Sequence, residues 1–137
     1  MRRRAGFLAA LACAGLTGCG DLSRDELGRG VDSLTAIAAE GRLVARDVAH
    51  DRTKATFVRV HAGELSGEAE HEAEKLSDAH PAPGTDVHRL QAVRLAERLS
   101  SALSELQTHP GDEARGRRAG RELIDVQGAL ESLGRRT

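Results

Sequence analysis

Six histidines and a dense set of glutamates are the residues of this sequence that could bind a metal ion. Glu68 and His71 stand three positions apart, so on a helix the carboxylate and the imidazole lie on one face. Carboxylate oxygens and imidazole nitrogens are donors that transition metals accept. His61 and Glu64 come earlier in the same segment with the same spacing. This stretch is therefore a candidate metal site.

The Glu68-x-x-His71 pair resembles part of the ligand set of ferritin-like di-metal bundles. Those proteins need two such pairs and further carboxylates from two more helices. The nearest second pair here is Asp47 with His50, which a helical hairpin would place about 30 Å from His71 at a rise of about 1.5 Å per residue. The full ligand set is missing, and a solvated acidic helix face is the commoner explanation.

His71 and Glu72 also begin like the zinc-protease motif His-Glu-x-x-His, but Lys75 occupies the position of the second histidine ligand. Covalent catalysis has no better support, because the chain after residue 19 contains no cysteine and no Gly-x-Ser-x-Gly turn. Phosphate-binding glycine loops are absent from the sequence as well. We therefore expect a protein that is not an enzyme and has no bound cofactor.

His80 and His88 flank the proline-rich segment 81–84, next to Asp78 and Asp86. If two helix ends meet at this segment, the two imidazoles come near one another and could bind a metal or respond to pH. Exposed polar histidines at a loop are the alternative explanation, and the commoner one.

The chain begins with Arg2, Arg3 and Arg4, followed by an apolar stretch at 6–16. This is the layout of an export signal. A helix needs about 20 apolar residues to cross a bilayer, so we expect a signal that is removed rather than a permanent span. Arg3-Arg4 before Phe7-Leu8 resembles a twin-arginine signal with one residue too many, and the general secretory route is favoured.

Residues Leu16-Thr17-Gly18-Cys19 end this signal and resemble the bacterial lipobox. The resemblance implies cleavage between Gly18 and Cys19 and a diacylglycerol on the Cys19 thiol, and the new N-terminal amine is often acylated as well in that family. Two or three acyl chains anchor a protein stably. A disulfide is disfavoured, because Cys13 leaves with the leader and Cys19 then has no partner. We expect a lipid-anchored protein on the extracytoplasmic face of the cell membrane.

The leader holds three of the 20 Lys and Arg residues and none of the 21 Asp and Glu, which leaves 17 basic against 21 acidic and a net charge of −4. After the leader the only aromatic residue is Phe57. Nucleic-acid binding needs basic surfaces and, for single strands, aromatic rings on which bases stack. We therefore expect no nucleic-acid partner.

Apolar residues recur with helical spacing through the rest of the chain. Ser23 and Glu26 have the spacing of a capping box for a helix that starts near residue 24. A 4-3 stripe follows, made of Leu27, Val31, Leu34, Ala38, Gly41, Ala45 and Val48. The break near 51–53 contains no Gly or Pro, so the first and second helices are either separate or continuous.

Three further helices are predicted at 54–78, 86–107 and 112–133. The breaks at 80–84 and 108–111 contain Pro and Gly, which end helices, and Thr85 or Asp86 could cap the third helix. Short connections between amphipathic helices favour an antiparallel arrangement. We predict an all-α antiparallel bundle of about four helices at 23–137, after a signal peptide at 1–18 and a lipidated tether at 19–22.

The predicted second helix is rich in glutamate, and the fourth opens with Arg115, Arg117, Arg118 and Arg121. These charged residues could form ion pairs across the bundle or could lie on separate solvated faces. Solvated faces are the commoner case. Only three residues separate Cys19 from the cap at Ser23, a reach of about 10 Å. The segment 81–84 should therefore return to the membrane end of the bundle.

Two classes of function remain. The first is a non-enzymatic interaction or structural module of the cell envelope, which binds an envelope protein or self-associates through its helical faces. The second is a metal-binding bundle that uses Glu68 and His71 or His80 and His88. The chain after the lipobox resembles small helical lipoproteins of actinobacteria, and this resemblance carries over no functional residue.

Overall fold

A computed structural model describes residues 21–137, which form four α-helices. The helices are α1 (Arg24–Ala49), α2 (Ala55–Asp78), α3 (Asp86–Thr108) and α4 (Glu113–Gly134). Within this part of the chain no β-strand forms, apart from one isolated bridge between Leu22 and Pro81. The predicted all-α bundle is confirmed, and the predicted start of the first helix and the predicted bounds of the other three lie within one residue of those observed.

Each helix runs antiparallel to the next, and the last returns beside the first. The most extensive packing joins α2 to α3 and α1 to α4, with smaller contacts between α1 and α2 and between α3 and α4. The acidic α2 and the arginine-rich α4 lie at diagonal corners and do not contact one another. Ion pairs between them are therefore ruled out, and Arg115 pairs instead with Glu105 of α3.

The core is built almost entirely from leucine, valine and alanine. Every position of the predicted α1 stripe is buried. The helical spacing also predicts an apolar side for α2 and for α4, and all of its positions are buried: Val58, Ala62, Leu65, Ala69 and Leu76 on α2, and Gly116, Ala119, Leu123, Val126, Leu130 and Leu133 on α4. On α3, Leu103 is fully buried, whereas Leu90 is 40% exposed. Phe57 is 54% exposed, so aliphatic contacts alone supply the hydrophobic stabilisation of the described core.

Side chains cap two of the helices, and the sequence predicted the first of these caps. The Ser23 hydroxyl accepts from the Glu26 backbone N–H, and the Glu26 carboxylate accepts from the Ser23 backbone N–H, which completes a capping box. Asp112 accepts from the Arg115 backbone N–H at the start of α4. Thr85 stands at the N-cap position of α3, but its hydroxyl donates to the Ala82 carbonyl, 2.7 Å away, and does not cap the helix.

The question of whether α1 and α2 are continuous is settled by a break at 50–54. Asp51 has a φ of 51°, in the left-handed region, directly after the C-cap residue His50. The backbone N–H of Arg52 donates to Asp47 and that of Asp51 donates to Val48, which is the Schellman pattern. An aspartate therefore ends α1 at a position where glycine is the usual residue.

Candidate functional site

The end of the bundle where the described chain enters is held by backbone hydrogen bonds, and we refer to it as the entry end. The N–H of Leu22 donates to the carbonyl of His80 at 2.6 Å, and the N–H of Ala82 donates to the carbonyl of Leu22 at 3.2 Å. The Leu22 side chain packs against the core. The chain just before α1 is therefore fixed to the α2–α3 loop.

That loop is itself rigidly connected to the helices on either side. Thr85 is buried, and both its hydroxyl and its N–H donate to the carbonyl of Ala82. The Arg89 guanidinium donates to the carbonyls of Leu76 and Ser77 at 3.1 Å, which are among the last carbonyls of α2. The start of α3 thus caps the end of α2, and the entry end forms one packed unit.

Apolar side chains are exposed beside this loop. Val87, in the first turn of α3, is 75% exposed, and Pro81 and Pro83 are also exposed. The predicted lipidation residue Cys19 and the cleavage position Gly18 lie outside the described residues. Cys19 precedes Leu22 by three residues, so the chain can place it at most about 10 Å from Leu22.

The Glu68 and His71 pair lies on the solvent side of α2. Both side chains are exposed, and within 21–137 neither has a hydrogen bond or ion pair. Among the described residues no group of three or more His, Cys, Asp or Glu side chains is arranged to hold a metal ion. The geometry therefore adds no third ligand to the pair that the sequence suggested.

His61 joins α2 to α1 through a side-chain contact, and the sequence did not indicate this contact. Its Nε2 lies 2.8 Å from Oε1 of Glu40, and its Nδ1 lies 3.6 Å from Oε2 of Glu64. The Phe57 ring lies 5.2 Å from the imidazole, centroid to centroid. Because the two carboxylates approach opposite ring nitrogens, these three residues do not converge on one point and form a network of polar contacts rather than a chelate.

His80 and His88 both lie at the entry end, as the topology requires. His80 is exposed and contributes its backbone carbonyl to Leu22, whereas His88 is half-buried in the first turn of α3. No contact between the two imidazoles is present in the described part of the chain. The structure brings the two residues to one end without forming a site from them.

A shallow groove runs between α1 and α4 on the outer surface, with a volume of about 800 Å³. We call it the α1–α4 groove. Ala39 and Gly120 line its floor, and Leu43 (53% exposed) and Ile124 (52% exposed) stand on its two sides. The groove is shallow because small residues let the two helices approach closely. At Gly116, an added Cβ would lie only 2.8 Å from the backbone nitrogen of Ala49.

Four arginines surround this apolar floor: Arg42 and Arg46 on α1, and Arg117 and Arg121 on α4. Arg46 and Arg117 each pair with an acidic residue of their own helix. Arg42 donates to the neutral Gln127, and Arg121 has no carboxylate within 4.0 Å among residues 21–137. Glu40 also lines the groove and contacts His61 of α2, so the groove is an apolar surface with an excess of positive charge.

The helical periodicity does not predict this groove, although its components are visible in the sequence. Arg42 and Arg46 are four positions apart, and so are Arg117 and Arg121. Each pair lies beside small or apolar residues on the side of its helix that faces away from the core. The local pattern does not show that α1 and α4 are neighbours. The two basic faces form one surface only because these helices lie side by side.

The carboxylates with a shifted pKa are both helix caps rather than site residues. The backbone and then the hydroxyl hydrogen bonds of Ser23 lower the pKa of Glu26, and the backbone N–H of Arg115 lowers the pKa of Asp112. Donors to a carboxylate stabilise its ionised form. Both groups are exposed and serve helix termini, so neither indicates acid–base catalysis.

No protein-family model, no curated protein and no solved structure matches this chain. Among the described residues, no helix is both long and apolar enough to cross a membrane.

Proposed function

We propose that this protein is a lipid-anchored, non-enzymatic interaction module on the extracytoplasmic face of the cell membrane. The observation that carries the proposal is the connection between its proposed anchor and its fold. Cys19 in the lipobox-like segment precedes Leu22 by three residues, and Leu22 is hydrogen-bonded into the α2–α3 loop. A lipid on Cys19 would therefore hold one end of the bundle against the bilayer, not only keep the domain nearby.

Two further observations support this function. Val87 and the exposed prolines of the α2–α3 loop lie on the end that would face the membrane, where apolar side chains can enter the interfacial region. The α1–α4 groove opens sideways, so a tethered bundle would present it to neighbouring proteins. An apolar floor with arginines around it is a composition typical of protein interaction surfaces.

Membrane fractionation of the full chain, expressed in a bacterial host, tests the anchor. Wild-type protein should sediment with the membranes, resist extraction by salt and dissolve in detergent, whereas Cys19→Ala should be found in the soluble exported fraction or as unprocessed precursor. Cys13→Ala is the matched control and should behave as wild type. Processed Cys19→Ala that stays on membranes in high salt would disprove the lipid anchor.

A further inference from the structure

We propose that a pocket between α1 and α2 at the entry end binds a phosphoethanolamine group, supplied by the headgroup of a phosphatidylethanolamine in the membrane. We call it the α1–α2 pocket. Its volume is about 430 Å³, and the residues that line it include Leu22, Glu26, Arg29, Gly30, Glu72 and Lys75. This inference rests on the proposed function, because the anchor brings this end of the bundle to the lipid headgroups.

Glu72 is a carboxylate that the fold largely removes from water without supplying enough donors. Its side chain is 16% exposed, and its Oε2 is buried with no hydrogen-bond partner among residues 21–137. The Lys75 ammonium lies 3.4 Å from Oε1, whereas charge-assisted N–H···O bonds are about 2.7 to 2.9 Å long. A buried acceptor without a donor destabilises the fold. A ligand that donates to Glu72 would remove this cost.

The buried oxygen of Glu72 can turn toward the pocket. Oε2 faces the backbone of Gly30, where an added Cβ would lie 3.6 Å from it. The terminal torsion of a glutamate side chain has broad minima, so rotation of the carboxylate about its last bond meets little resistance. Such a rotation brings Oε2 to the pocket side without any movement of the α2 backbone. Both oxygens of Glu72 are therefore available to a donor in the pocket.

Two cations face the same pocket. Arg29 and Lys75 are exposed, and Arg29 has no carboxylate within 4.0 Å among the described residues. The backbone and hydroxyl hydrogen bonds of Ser23 lower the pKa of Glu26 most, and the charges of Arg29 and Lys75 lower it further, so both cations lie near that carboxylate. Glu26 is already engaged in the capping box. Arg29 and Lys75 can therefore pair with an anion of the ligand.

The charges of the pocket match a zwitterion better than a simple cation or anion. Two carboxylates, Glu26 and Glu72, stand against Arg29 and Lys75, so the lining is neutral as a whole. A primary ammonium offers three N–H donors to Glu72, and a phosphate accepts from Arg29 and Lys75. When the ammonium takes the place of Lys75 beside Glu72, Lys75 is free to contact the phosphate. A phosphocholine group has no N–H and cannot satisfy Glu72.

The order of these charges along the bundle suits a headgroup that rises from a membrane. Glu72 lies six residues before the end of α2, about 9 Å from the entry end. Lys75 is about one turn nearer that end, and the Arg29 side chain leans toward the N-terminus of α1, which is at the same end. In a phospholipid the phosphate adjoins the glycerol and the ammonium is outermost. The cations are therefore placed for the phosphate, and Glu72 for the ammonium beyond it.

The position of the pocket also agrees with the proposed anchor. The headgroup layer of a bilayer is roughly 5 to 8 Å thick on each side. Leu22 and Ala79 line the pocket at the entry end. A bundle whose Val87 side chain lies in this layer would place these two residues within it and Glu72 at its outer edge. The apolar side chains of Leu22 and Leu76 can then contact the carbon atoms of the headgroup and glycerol.

Native mass spectrometry of the full-length protein, purified in a neutral detergent, tests the pocket. Phosphatidylethanolamine and phosphatidylcholine with identical short acyl chains are added in equal amounts. The one-to-one adduct with phosphatidylethanolamine should be about tenfold more abundant, because a hydrogen bond to a charged group contributes this much. Free O-phosphoethanolamine and phosphocholine repeat the comparison without acyl chains, and they should show the same preference with weaker binding.

Substitutions in the pocket separate its two halves. Glu72→Gln keeps the side-chain volume and should abolish the preference for phosphatidylethanolamine. Arg29→Gln should weaken both lipids about fivefold and leave the preference intact, because both carry the phosphate. Glu74→Gln and Arg24→Gln are the matched controls, since both residues are exposed, lie on the same two helices and do not line the pocket. Arg29 is exposed, so its variant should fold even if Glu72→Gln does not.

Three results would overturn the inference: equal adducts with the two lipids, a preference that survives Glu72→Gln in folded protein, and a control variant as harmful as Glu72→Gln or Arg29→Gln. Free O-phosphoethanolamine that binds as tightly as the lipid would support the pocket and contradict the membrane as its source. The assay compares headgroups on solubilised protein. Failure of the anchor appears instead in the fractionation of Cys19→Ala, so the two failures are distinguishable.

Discussion

Gly116 lies at a close crossing of α4 with α1, and its missing side chain is what permits the crossing. An added Cβ would be 2.8 Å from the Ala49 nitrogen and 2.8 Å from Cγ1 of Val48. A backbone atom cannot move aside as a flexible side chain can. Gly128, by contrast, is an exposed glycine of the same helix with no neighbouring atom within 4 Å of an added Cβ.

We predict opposite effects for alanine at these two glycines. Gly116→Ala should lower the free energy of unfolding by about 1 to 2 kcal/mol, because overpacking outweighs the gain in helix propensity. Gly128→Ala should raise it by about 0.5 to 1 kcal/mol through propensity alone. Urea denaturation followed by circular dichroism measures both. Equal changes of the same sign would show that α1 and α4 are not in close contact at Gly116.

At the scale of the element, two leucines outside the predicted apolar stripe of α3 differ in burial. Leu90 and Leu103 lie 13 positions apart, which at about 100° per residue puts them on different sides of the helix. In the bundle Leu103 is fully buried and lies against Gly41 of α1, whereas Leu90 is 40% exposed near the entry end. The difference comes from the side of α3 on which each residue lies, because Leu103 belongs to the buried face and Leu90 lies on the opposite, solvent side.

Truncation of these two leucines checks which side of α3 faces the core. Leu103→Ala should destabilise the fold by about 2 to 5 kcal/mol, since it removes buried contacts and leaves a cavity. Leu90→Ala should cost less than about 1 kcal/mol, because much of that side chain already contacts water. Thermal and urea unfolding of both variants provide the comparison. A cost at Leu90 equal to that at Leu103 would place the flank of α3 differently in the core.

For the whole molecule, the arrangement of the four helices places opposite charges on separate surfaces. The acidic α2 and the basic first half of α4 are diagonal, and α1 packs against both helices. The entry end is distinct from the α1–α4 groove, and it carries the exposed residues of the α2–α3 loop together with Val87. The proposed anchor and the groove therefore use different parts of the surface.

An anchored bundle should stand with its entry end against the bilayer. Full-length protein that carries an environment-sensitive fluorophore at Val87→Cys should be quenched by a quencher located in the lipid headgroup region. The same fluorophore at Arg52→Cys should not be quenched, because α1 has 26 residues and is about 39 Å long. Equal quenching at both positions would mean that the bundle lies flat on the membrane.

Local sequence determined most of the secondary structure of this protein. Helix boundaries, the capping box at Ser23, the cap at Asp112 and the buried face of each helix depend on residues within a few positions of one another. Such short-range patterns can be recognised without knowledge of the fold. The break between α1 and α2 could not be established from such patterns, because Asp51 adopts a left-handed conformation that glycine or asparagine usually signals.

Only the tertiary structure decided which surfaces the helices form together. The link between Leu22 and the α2–α3 loop, the Glu40 to His61 contact and the α1–α4 groove each join residues from distant parts of the sequence. Their existence depends on which helices are neighbours and how closely small residues let them approach. The metal-ligand pattern at Glu68 and His71 is, by contrast, visible in the local sequence. It lies within one helix and gains no third ligand from the described fold.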